Sequence, residues 1–260
     1  MKRALQTAAP AILGLALLGL WEGLVRYLEV PNFILPGPVA IGQAMIADWP
    51  LLSSSLLVTL RVALLALLAA VTFGGFLAIL FAQSAWVERA LFPYAVILQV
   101  TPIVAIAPLI LIWVNDVLLS LLICAWIVAF FPILSNTVLG LNSADRNLRD
   151  LFQLYGATRW QILWLLRLPS ALPFFLAGLR VAGGLALIGA VVAEFVAGAG
   201  GTGSGLAFRI LEASYQLRIP RMFAALALIS AAGIAIFALL GAVQHVLLRH
   251  WHESAMKAER

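Results

Sequence analysis

Charge is scarce in this chain, and much of it gathers in one place. From Arg149 to Pro169 the sequence reads RDLFQLYGATRWQILWLLRLP, with Arg149, Arg159 and Arg167, a carboxylate at Asp150, and Tyr155 and Gly156 between apolar residues. Each charge held at mid-bilayer would cost roughly 3 kcal/mol or more, so the segment lies outside hydrocarbon. Leu151, Leu154 and Tyr155, then Ile162, Leu165 and Leu166, recur at helical spacing, and Gly156 breaks the pattern between them. The spacing predicts two short helices that meet at a glycine on one membrane face, closed by Pro169, which starts the next membrane helix. The chemistry open to such a segment is recognition: an apolar face with a basic rim is a docking surface.

Covalent chemistry has no residues to carry it. The chain holds no Gly-Lys pair followed by Ser or Thr, no G-x-S-x-G and no H-E-x-x-H. Cys124 lies alone in an apolar run and reads as a small buried hydrophobe, and His245, His250 and His252 have no spacing that suits a metal. Gly198, Gly200 and Gly203 match G-x-G-x-x-G, but no strand precedes them. They are expected to form a tight turn that caps a membrane helix, followed by a short amphipathic helix at about 206–216. With no catalytic set, metal or cofactor site of its own, the chain is expected to transport, on energy from a partner or an ion gradient.

The elements that position the basic segment are membrane helices. Of 260 residues, 64% are hydrophobic and 10% charged, against about 25% charged in an average soluble domain. Apolar runs of about 20 residues, charge-free except for Arg180 in the fifth, predict six spans: 4–21, 62–87, 90–115, 117–144, 168–193 and 222–248. Lys2 and Arg3 ahead of the first run resemble a signal peptide, but no small-x-small cleavage site follows it, which favours an uncleaved helix. Pro31, Pro36, Pro38 and Pro50 forbid a continuous helix after it and leave an extended piece and a short helix, about 39–49, at the surface. With the N-terminus inside, ten Lys and Arg residues gather inside, including Arg89, Arg146, Arg149, Arg159 and Arg167, against five outside: Arg26, Arg61, Arg209, Arg218 and Arg221. This places both termini and the Asp150 loop in the cytoplasm. The net charge of +5 is thereby a matter of orientation, not of nucleic-acid binding.

Two spans carry more than hydropathy. Pro93, Pro102 and Pro108 fall in the third, which therefore is no straight, fully bonded helix, and such breaks survive where protein or water satisfies the freed carbonyls. It either lines a path or kinks for packing. In the fifth, Gly178, Ala182, Ala186 and Ala190 make a stripe of small residues along which another helix can approach. Arg180 and Glu194 stand 14 residues apart in that region, about 21 Å along a helix, too far to pair within it. Each is a candidate for a translocation path or gate. The alternatives are a structural ion pair or carbonyl contact for Arg180, and a water-exposed interfacial position for Glu194.

From Gly156, nine residues, Leu166, one residue, then Leu168-Pro169, the central segment resembles the G-x9-I-x-L-P half of the loop of ABC importer permeases, the type I, binding-protein-dependent systems. LPGP at 35–38, TPIVAIAPLILIW at 101–113, FFPILSNTVLG at 130–140, LPSALPFFLAGLR at 168–180 and AEFVAGAGGTGSGL at 193–206 are similar to the branch that imports nitrate, sulfonates, taurine or pyrimidine precursors. Two departures stand out. Asp150-Leu151-Phe152 replaces the usual Glu-Ala-Ala, and Asn115-Asp116 stand where relatives carry glycines.

The resemblance implies an all-α membrane protein, a permease with six transmembrane helices, N-in and C-in, in the bacterial inner membrane. It divides into a first helix and outer-surface segment (1–54), a core (55–248) holding a coupling loop (145–169), and a cytoplasmic tail (249–260). It also implies a second permease chain, expected to be another copy of this one in a homodimer. Two cytoplasmic ATPase subunits that use ATP and Mg, and an external solute-binding protein, complete the implied assembly. The coupling residues it implies are Asp150, Leu154, Gly156, Ala157, Arg159, Leu168 and Pro169, with Pro102 and Pro108 beside the path. The rival is a secondary transporter driven by an ion gradient. It would want carboxylates at mid-membrane, and only Glu194 comes near.

Overall fold

A computed structural model describes residues 2–198 and 203–249. Every regular element among them is helical: α1 (Lys2–Tyr27), α2 (Pro38–Ala47), α3 (Trp49–Gln83), α4 (Ala85–Val100), α5 (Ile103–Val114), α6 (Val117–Asn142), α7 (Arg146–Leu154), α8 (Arg159–Ile162), a π-helical turn (Leu163–Arg167), α9 (Leu168–Ala197), α10 (Leu206–Tyr215) and α11 (Ile219–Leu248). Among the described residues four helical stretches are long and apolar enough to cross a membrane, or five if α4 and α5 count as one bent span. Gly200 and Gly201 of the expected turn, and the tail from His250 onward, lie outside the described residues. Gly198, at the near end of that turn, caps α9 in the left-handed conformation (φ 54°).

The chain divides into two compact units, one from Met1–Val58 and Gly200–Ser230, the other from Thr59–Ala199 and Ala231–Arg260. In the first, Ile41, Leu52, Leu206, Ala224, Ala225 and Leu228 form the core. The Glu22 carboxylate accepts from the Val39 amide at 3.1 Å, at the N-terminus of α2, and from Arg26 Nε at 2.6 Å. A Cβ on Gly37 would sit 2.5 Å from that carboxylate and displace it, which accounts for the glycine of the LPGP run. Asp48, between α2 and α3, takes a two-pronged ion pair from Arg221, with Nη2 to Oδ1 at 2.6 Å.

In the second unit α6 is the central helix, paired along its length with α9. Position 178 admits only glycine, because a Cβ would meet the Pro132 carbonyl and Asn136 Cβ at 2.8 Å; Gly140 and Gly189 lie as close to the backbone at Ala171 and Ala125. Ala182 and Ala186 pack with Leu67, Ala70, Ala129 and Ile133. Backbones this close gain dispersion contacts that larger side chains would forbid.

Four boundaries differ from the sequence expectation. The first helix runs on to Tyr27, past residue 21. The second span starts at Trp49, not residue 62, so Arg61 sits inside a helix. Pro50 suits a helical first turn, and the Ser53 and Ser54 hydroxyls donate to the Pro50 and Leu51 carbonyls, so a proline and serine-rich stretch is a helix start. The third span is two helices bent by 101° across Thr101-Pro102. Pro169 stands in the first turn of α9 as expected, but no break precedes it. Arg159–Ala197 runs as one helical stretch, and the π-helical turn ahead of Pro169 lets it continue. Asn115 takes the left-handed conformation (φ 53°) that suits glycine, and Asp116 caps α6 by accepting from the Leu119 amide at 2.6 Å.

Candidate coupling surface and path

The basic segment is built from caps. Asp145 accepts from the Asn147 and Leu148 amides and starts α7. At the other end the Gly156 amide donates to the Gln153 carbonyl and the Ala157 amide to the Phe152 carbonyl, both at 2.9 Å, with Gly156 at φ 71°. This is a Schellman ending, in which the left-handed residue is glycine and the residues on either side of the turn are apolar. Phe152 and Ala157 hold those two places, and both pack on Ala144, Ile162 and Leu166. Thr158 and Gln161 then form a capping box that opens α8, with the Gln161 carboxamide oxygen accepting from the Thr158 amide at 2.7 Å.

These caps orient two faces. Phe152, the largest residue of the departed Asp-Leu-Phe triplet, turns inward. Leu151, Leu154 (85% exposed) and Tyr155 (84% exposed) leave an apolar strip uncovered, and Asp150 and Arg159 are exposed with it. Leu168 and Pro169 are half-buried at the start of α9 and take no part in that strip.

Arg167 belongs to the basic rim by sequence, and its three-dimensional role is different. Its Nε donates to the Leu141 carbonyl at 2.8 Å, Nη2 to Asn142 Oδ1 at 2.7 Å, and Nη1 to the Ala82 carbonyl. One guanidinium thereby holds the C-terminal ends of α3 and α6, where carbonyls lack helical partners and the helix dipole is negative, to the root of α9. The partners are 26 and 85 residues away, so no local pattern announces them. The only signal is a basic residue directly ahead of the Leu168-Pro169 pair.

The path candidates separate. Pro102 begins α5 at the bend, and Pro108 lies within α5. Beside the bend is a cavity of about 350 Å³ whose lining includes Gln99, Thr101, Pro102, Ile127, Val128 and Leu185. Arg180 is elsewhere. Its guanidinium lies 3.8 Å from the centre of the Phe237 ring and stacks α9 on α11, a contact that neither the gate reading nor its ion-pair and carbonyl alternatives named. Glu194 is 3% exposed, which removes the water-exposed alternative. Gly178, Ala182, Ala186 and Ala190 are all buried in α9. Among the described residues no group of three or more His, Cys, Asp or Glu is placed to hold a metal.

Residues 70–251 match the family described as binding-protein-dependent transport system inner membrane component. The formylaminopyrimidine transport permease protein ThiX of Halalkalibacterium halodurans is 34% identical, across 95% of this chain and 98% of its own. The riboflavin transport system permease protein RibX of Chloroflexus aurantiacus is 36% identical, across 92% of this chain and 88% of its own. A crystal structure of an amino acid ABC transporter with histidines shares the fold, with a TM-score of 0.65 at 19% identity, over 78% of this chain and 96% of that one.

Proposed function

Because the chain belongs to the family of binding-protein-dependent transport inner membrane components, the permease subunits of ABC importers for small solutes, we propose that α7 and α8 dock it to a cytoplasmic ATPase. The observation that carries this is the uncovered strip of Leu151, Leu154 and Tyr155 on a helix capped at both ends. Asp150 and Arg159 at its edge orient the partner. ATP and Mg are bound by two such ATPase subunits, not by this chain. Their closure draws the α7 helices of two permease copies together. Arg167 passes the motion to α3, α6 and α9 at once, and the bundle changes from inward-facing to outward-facing.

The six spans are N-in and C-in in a bacterial inner membrane, and an external binding protein delivers the solute. The solute crosses beside the α4–α5 bend. The cavity there offers the Gln99 and Thr101 side chains and no charge, which favours a neutral heteroaromatic such as a pyrimidine precursor over nitrate or a sulfonate. Arg180 and Glu194 do not line that cavity and act as gate residues of α9 away from it.

The test is uptake and ATP hydrolysis by the complex reconstituted in vesicles. Gly156→Arg is expected to hydrolyse ATP without uptake while still inserting. Normal uptake by that variant removes the loop from the mechanism.

A further inference from the structure

Behind α7 lies a second, smaller cavity of about 180 Å³, whose lining includes Arg149, Arg159, Arg167, Gln83 and Gln153. Three cations around one hollow repel one another unless something negative lies between them. No carboxylate closes on them. Among the described residues none of the three arginines forms an ion pair; pairs such as Glu22–Arg26, Arg209–Glu212 and Asp48–Arg221 lie elsewhere. Glu88 acts on Arg167 through space but stays beyond ion-pair distance. Arg149 Nε and Gln83 Nε2 are both buried without a hydrogen-bond partner. Buried donors in native proteins are nearly always satisfied, so their idleness at a cationic cavity calls for an acceptor. Arg167 spends its own donors on the ends of α3 and α6, which fixes one wall of the cavity in place.

We propose that this cavity binds a phosphate-class oxyanion, held by the Arg149 and Arg159 guanidiniums and the Gln83 amide. Its volume matches about six waters at roughly 30 Å³ each, enough for one tetrahedral oxyanion and below the roughly 300 Å³ at which drug-sized ligand sites begin. The phosphate group has two sources, a free ion or the headgroup of an anionic lipid, and both present the same oxygens to a guanidinium fork. Trp160 and Trp164 are exposed one turn apart on the helical stretch that carries Arg159 and Arg167, as interfacial tryptophans are. Bound there, the anion neutralises the cluster and pins α7 to α9. Any effect on coupling rests on the docking role proposed for α7; the binding itself does not.

Thermal melting of the purified full-length permease tests the site without an ATPase. Inorganic phosphate in detergent, against chloride at equal ionic strength, and phosphatidylglycerol nanodiscs, against phosphatidylcholine nanodiscs, form the two arms. A saturable rise in melting temperature with phosphate identifies a free ion; a rise confined to phosphatidylglycerol identifies the headgroup. In either case Arg149→Gln with Arg159→Gln must weaken apparent affinity about tenfold or more, because removing a charge-assisted hydrogen bond costs at least that factor. If the double variant does not fold, Arg149→Lys, which keeps the charge without the fork, must show the weakening. No rise in either arm, or a rise that the variants leave unchanged, overturns the proposal, whatever the fate of the docking role.

Discussion

The α6–α9 pair and the α7–α8 segment that joins them in sequence are built on opposite rules. The pair is closed: Gly140, Gly178 and Gly189 bring backbones so near that a single methyl group has nowhere to go. The α7–α8 segment is open: a Cβ on Gly156 would meet nothing within 4 Å, and Leu154 and Tyr155 face outward. In the first region side-chain size decides stability. In the second, caps decide shape, and the exposed side chains are those of the docking strip proposed above. A transporter that transmits force needs both, a wall that does not yield and a handle that protrudes from it.

Substitutions can break that contrast, beginning with the largest effect. Gly178→Leu should destabilise the permease by about 3 kcal/mol or more, since overpacking against a backbone carbonyl has no easy relief; melting in detergent measures it, and a small shift would mean that α6 and α9 slide apart freely. Arg167→Met should follow at about 2–3 kcal/mol, the worth of a charged group bonded to the ends of two helices. In the same variant ATP hydrolysis should lose its dependence on the binding protein, because α7 would no longer move with α3. Gly156→Ala should cost about 1–2 kcal/mol through the left-handed backbone alone, and Gly156→Asn less, which melting of the two side by side would resolve. Leu154→Ser should leave stability within about 0.5 kcal/mol and yet abolish co-purification of an ATPase. Equal loss of stability at Leu154 and Gly178 would erase the distinction between the two regions.

How much of this is legible in the sequence follows from the range of the interactions. Gly156 and the Pro102 break announce themselves because they act on their own backbone. Thr158 and Gln161 spell a capping box within four residues, and the same short range makes it readable. Pro169 marks the start of α9 but hides the continuity before it, because a π-helical turn absorbs the proline. Residues 49–61 mislead because Arg61 ends the charge-free run from which the second span is read, although the helix begins at Trp49. Arg167 and the Asp48–Arg221 pair are out of reach, their partners lying up to 173 residues away. Arg180 shows its charge but not Phe237, the ring on α11 that its guanidinium stacks on.

The most direct test joins the handle to its partner. Asn147→Cys, an exposed position on α7 one turn before Leu151 that leaves the apolar strip intact, in a Cys124→Ala background and treated in intact membranes with a short bifunctional thiol reagent, is expected to yield a cross-linked species containing this chain and an ATPase subunit. ATP should change its yield. Cross-links to lipid or to this chain alone, with transport intact, would contradict the assignment of α7 as the docking helix.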